Sequence, residues 1–278
     1  MSGWHKLRLA DVGRIRDVQV QLVHAAQLVA AVGHSLAEPR DDDSHTAMRW
    51  QSADMALLGA EIPGERPFVV ALRLNTLTLV LIDESGMHVA EYGLHGTSKN
   101  QALGWLSDVL GKPITLIEYS YDPLPDHDVA RGGTFNAGDT EAFAESIRYF
   151  DNAEFVIEEL WSEYLGASVP VVWPHHFDMA SEIPVPEAEK PGTTIGIGLC
   201  TVDETYDTPY WYVAAYPYLD PHMLPELPGP GGWNTNGKWV GAALTILDGI
   251  QNDSGEQQLL VQEFFTRAIA ATRDTIKK

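Results

Sequence analysis

The chain has one cysteine, Cys200, among 278 residues. No internal disulfide can form, and a reducing, cytoplasmic location is expected. No apolar run is long enough to span a bilayer, and the opening Met1-Ser2-Gly3-Trp4-His5-Lys6-Leu7 lacks the apolar stretch of a secretory signal. A membrane partner is therefore not expected. Basic residues are scarce: 18 Lys and Arg stand against 39 Asp and Glu, a formal net charge of -21. Such a surface repels phosphate backbones, which argues against nucleic-acid binding. A glycine-rich phosphate loop is missing too, because Gly192-Thr193-Thr194-Ile195-Gly196-Ile197-Gly198 precedes a strand pattern and not a helix. There is no Gly-x-Ser-x-Gly elbow, and Cys200 falls within an apparent strand, so nucleophilic catalysis has little support.

What is present is the composition of a globular protein, 45% hydrophobic, enough for one large core or two modest ones. Apolar residues at three- and four-residue steps predict a long helix over 11–36, with Gly33 near its frayed end. Short period-two segments at 45–51, 55–60, 68–72, 77–82 and 87–92 then read as an antiparallel meander. Ser98 caps a helix to about residue 110, and 114–118 reads as another strand. A polar loop over 119–138 contains Asp122-Pro123-Leu124-Pro125-Asp126-His127-Asp128. Asp139 opens a second long helix, which Gly166 closes. Strands follow at 169–173, 193–201 and 210–216. Next comes a Pro/Gly tract over 217–237, and a capping box over 254–257 opens a terminal helix to about 276. The order predicts a single α+β domain, its largely antiparallel sheet or partly open barrel packed by two long helices and a C-terminal helix. An alternative organisation has two similar halves, about 1–118 and 139–278, joined by the loop 119–138.

Chemistry concentrates in Val171-Val172-Trp173-Pro174-His175-His176-Phe177-Asp178, where two imidazoles and a carboxylate meet bulky apolar residues. If a strand continues past Pro174, alternation puts Trp173, His175 and Phe177 on one face and His176 and Asp178 on the other. His175, His176 and Asp178 are the candidate catalytic groups. With His45 they are also candidate ligands of a divalent metal, which needs about three protein donors drawn from these or from His127, Asp126, Asp128 and Glu182. The competing account is architectural, with Asp178 capping backbone amides and one histidine packing on Trp173. Aromatic residues crowd the last third, and a groove lined by Trp173, Trp211, Trp233 and Tyr216 is expected to take a small molecule. Two function classes follow. One is a metal-assisted hydrolase with its pocket near the run. The other is a noncatalytic binding or interaction protein with an aromatic-lined cavity.

The segment Trp173, Phe177, Asp178, Ala180 after a long helix, with Ala215-Tyr216-Pro217 ending a later strand, resembles an uncharacterised bacterial family, domain-of-unknown-function family 5996. That family typically carries Trp-Gly-Ser-Phe-Asp where this chain has Trp173-Pro174-His175-His176-Phe177-Asp178, so the paired histidines depart from its pattern. The resemblance implies an α+β body in which this run forms a structural corner. It implies no activity, cofactor or partner.

Overall fold

The computed structural model describes residues 3–8, 11–119, 125–203, 205–236 and 239–277. Asp122, Pro123 and Leu124 of the expected loop, and Gly237 of the Pro/Gly tract, lie outside the described residues. The protein is α+β. Its helices are α1 (Val12–Leu36), α2 (Lys99–Leu110), α3 (Thr140–Glu163) and α4 (Ser254–Ile276). Strands β1 (Arg49–Gln51), β2 (Ala56–Ile62), β3 (Phe68–Arg73), β4 (Thr78–Asp83) and β5 (His88–Gly93) form one antiparallel sheet in sequence order. A second antiparallel sheet contains β6 (Val171–Trp173), β7 (Asp178–Pro184), β8 (Thr194–Cys200), β9 (Tyr210–Tyr216), β10 (Gly232–Asn234) and β11 (Gly241–Thr245), in the order β10-β11-β9-β8-β7-β6. No helix among the described residues is long and apolar enough to cross a membrane.

The chain packs as two compact units. The first consists of Gly13–Ile147 and Val171–Phe177. Its meander matches the period-two reading closely, β3 and β4 pairing in unbroken register from Phe68↔Asp83 to Arg73↔Thr78. α1 lies close on this sheet because β2 carries Gly59, where a Cβ would stand 2.7 Å from a Val29 methyl and 3.1 Å from the Val70 carbonyl. Gly33 sits inside α1 and not at a frayed end, since the helix passes so near the His45 carbonyl that a side chain would collide with it. α2 starts where Ser98 predicts, with a complete Ser98–Gln101 capping box. Residues 114–118 form no strand. The Ile114 N–H donates to Ser107 Oγ and the Thr115 N–H to Ser35 Oγ, so side-chain hydroxyls take the place of a ladder. Asp139 accepts a paired contact from Arg14 at 2.6 and 2.7 Å and also caps the Ala142 N–H.

The second unit consists of Met1–Val12, Arg148–Pro170 and Asp178–Lys278. α4 covers one face of its strands. Trp211 there has no exposed surface, its ring 5.8 Å from Trp4 and 5.9 Å from Phe265. Ile195, Ile197, Leu199, Val213 and Ala215 alternate onto the buried face. On the other face, Gly198 is paired with Tyr212, and a Cβ at Gly198 would stand 2.5 Å from the Met179 carbonyl and 2.7 Å from the Tyr212 ring. The capping box that opens α4 is Asp253–Glu256, one residue ahead of the expected 254–257. Gln257 is committed elsewhere. Its side-chain amide accepts the Leu7 N–H at 2.9 Å and donates to the Leu7 carbonyl at 3.0 Å. Asn152 holds the His5 backbone in the same two-way manner, at 2.7 and 2.8 Å. β10 and β11 were not foreseen. Gly241-Ala242-Ala243 has little intrinsic strand character, and Gly241 is required because a Cβ there would stand 2.6 Å from the Val213 carbonyl and 2.8 Å from the Trp239 ring.

Candidate functional site

The boundary between the two units falls inside the histidine run, between Phe177 and Asp178. Strand alternation does not carry across it. β6 ends at Trp173, and residues 174–177 form a turn closed by the Phe177 N–H donating to the Trp173 carbonyl at 2.8 Å. Phe177 takes a left-handed φ of 54°, and Pro174 brings no N–H for a ladder. In the first unit the turn gathers rings. His175 lies 4.6 Å from His176, 5.9 Å from Trp173 and 6.1 Å from Tyr119, centroid to centroid. In the second unit Asp178 is buried, Oδ2 accepting the Tyr212 hydroxyl at 2.6 Å while Oδ1 has no hydrogen-bond partner.

The remaining expected residues are dispersed. His45 is buried in the first unit, Nδ1 accepting the Arg40 N–H at 3.2 Å and its ring stacked on His34. In the second unit Trp211 is core, Trp233 donates to the Pro225 carbonyl at 2.7 Å and so pins the Pro/Gly tract, and Tyr216 is exposed. Cys200 is buried, and burial pushes its thiol well above the usual range, so it is no nucleophile near neutrality. Asp126 and Asp128 both pair with Arg131. Among the described residues, no three His, Cys, Asp or Glu side chains come together as a set that could hold a metal ion.

A different constellation forms in the first unit, on one face of α1. Asp17, Gln21, His24 and Gln27 follow one another at steps of four, three and three, the spacing that aligns side chains along a helix. Gln21 and His24 are buried. His127, in the loop after α2, accepts the Val129 N–H at Nδ1, so its Nε2 carries the proton and donates to Asp17 at 3.1 Å. Gln21 donates to the other Asp17 oxygen at 2.8 Å and accepts the Asn136 N–H at 2.6 Å. Lys99, the first residue of α2, brings its amine to the same face: Nζ lies 2.6 Å from Gln27 Oε1 and 3.4 Å from His24 Nδ1.

The electrostatics of this set are unusual for a lysine. Its partners are an amide oxygen and an imidazole, with no carboxylate in ion-pair contact among the described residues. Burial lowers its pKa to about 8. Burial likewise lowers His24 to about 4, with the neighbouring Lys99 amine adding to the effect. His24 is thus a neutral imidazole at pH 7, and its buried Nε2 has no hydrogen-bond partner among the described residues. One buried polar atom without a partner costs about 1–3 kcal/mol.

Compared with family models, curated proteins and solved structures, the chain matches none. Of this set, only His127 stands out in the sequence. The remaining signal was the polar stripe Asp17-Gln21-His24-Gln27 on an otherwise apolar helix, together with the Ser98 cap that places Lys99 at the start of α2.

Proposed function

We propose that the protein binds a small molecule through Lys99, receiving a carbonyl or carboxylate oxygen at the amine while His24 and Gln27 fix the position of Nζ. The observation that carries this is a half-buried lysine held by Gln27 and His24, with no acidic partner among the described residues. A desolvated amine in that setting gains more from an oxygen acceptor than an exposed, hydrated one does. The net charge of -21 disfavours polyanions, so a neutral carbonyl or a monocarboxylate is the better fit. Acetate and acetamide serve as probes in an NMR titration of the full chain. Saturable shifts of the Lys99 side chain and the His24 ring, abolished in Lys99→Met, are expected. Absence of saturation with both probes, or equal shifts elsewhere in Lys99→Met, would overturn it.

A second reading rests on the rings of Tyr119, Trp173, His175 and His176. These suit a planar ligand laid against them; of the four residues expected to line an aromatic groove, Trp173 alone belongs to this set. A thermal-shift screen should then return ligands whose effect is lost in Trp173→Ala.

A further inference from the structure

We propose that Lys99 is a nucleophilic amine that condenses with small aldehydes or ketones to form an imine, with His24 as the neighbouring proton acceptor. This rests on the small-molecule site at Lys99 and adds covalent chemistry to it. Three features of the geometry support it. Nζ is oriented by Gln27 at 2.6 Å, so its position is defined. His24 Nδ1, at 3.4 Å, is the adjacent group with a lone pair for a departing proton. No carboxylate competes for the amine as an ion-pair partner among the described residues. A lysine titrating at about 8 also holds far more free base near neutrality than one titrating at 10.5.

The chemistry closes without a further reactant. The Nζ lone pair attacks the carbonyl carbon and forms a C–N bond, one amine proton leaves toward His24, and the carbonyl oxygen takes up a proton to become a hydroxyl. Loss of that hydroxyl as water, with departure of the second amine proton, leaves the C=N bond. The sum is amine plus carbonyl giving imine plus water. The site is built for neutral or singly charged carbonyl compounds, since the acidic chain as a whole repels anything more negative.

The test treats the full chain with propanal and cyanoborohydride near pH 7.5 and maps propylated lysines by mass spectrometry. Lys99 should react at least about tenfold faster than the exposed Lys112 and Lys190, the direction its lower basicity dictates. His24→Phe should slow Lys99 while leaving Lys112 unchanged. Lys99→Arg keeps a cation for folding and should remove the fast adduct alone. Equal or slower reaction at Lys99 in a folded parent overturns the imine. If acetate or acetamide still binds in that case, the binding site stands without the covalent step. If neither binds, both fall.

Discussion

Lys99 and His24 together fix how stability responds to pH in this part of the molecule. The folded amine titrates at about 8 and the free side chain at 10.5, so between those values the unfolded chain binds more protons. Stability therefore climbs as pH rises from about 8 to about 10.5, and below 8 the full cost of the charged, half-buried amine is present. Lys99→Met should accordingly raise Tm at pH 7, by an amount that shrinks steadily toward pH 10. A gain independent of pH, or a loss at pH 7, would contradict this. His24 acts in a lower window. Its pKa of about 4 against 6.5 for the free ring means that acidification through that interval favours the unfolded chain, which takes up the proton. His24→Phe should flatten that acid limb, as followed by Tm between about pH 4 and 6.5.

At the level of elements, short-range chemistry was readable wherever one signal dominated. Ser98 announced α2, and the bonds from the Gln101 N–H to Ser98 Oγ and from the Ser98 N–H to Gln101 Oε1 confirm it. Ser98→Ala should cost about 1 kcal/mol in denaturant unfolding. Because the cap orients the first turn that carries Lys99, the same variant should also move the Lys99 titration. No change in either would mean that the cap is decorative. Where two elements competed for a residue, the sequence was ambiguous. The capping box at α4 slid by one residue because Gln257 serves Leu7, a demand about 250 positions away. The histidine run looked like a continuing strand, yet Pro174 and a left-handed Phe177 make it a turn. Residues 114–118 have a strand's composition, but the N–H groups of Ile114 and Thr115 go to serine hydroxyls. β11 was missed because Gly241 answers to the space beside Trp239 and the Val213 carbonyl, not to strand propensity.

On the scale of the whole molecule, long-range side-chain-to-backbone contacts bind distant parts of the chain, and these are invisible to local pattern. Gln257, wholly buried, satisfies both backbone groups of Leu7 and so fastens the first described segment to the last helix. Gln257→Leu leaves that N–H and carbonyl buried without partners and should cost about 2 kcal/mol or more, read from chemical denaturation. A loss under about 0.5 kcal/mol would show that water replaces the clamp. The candidate site has the same long-range character. His127 was noticed for its neighbours Asp126 and Asp128, whereas its structural partner is Asp17, 110 positions earlier. The α1 polar stripe could be read from spacing alone, but Lys99 joins it only through the fold, 72 and 75 positions from Gln27 and His24. The most direct test of that joining is the titration of Lys99 itself, followed by NMR of labelled lysine side chains and assigned with Lys99→Arg. A midpoint near 8, shifting upward in His24→Asn as the desolvated surroundings relax, is predicted. A midpoint at or above 10 would show an ordinary solvated amine and would contradict the site.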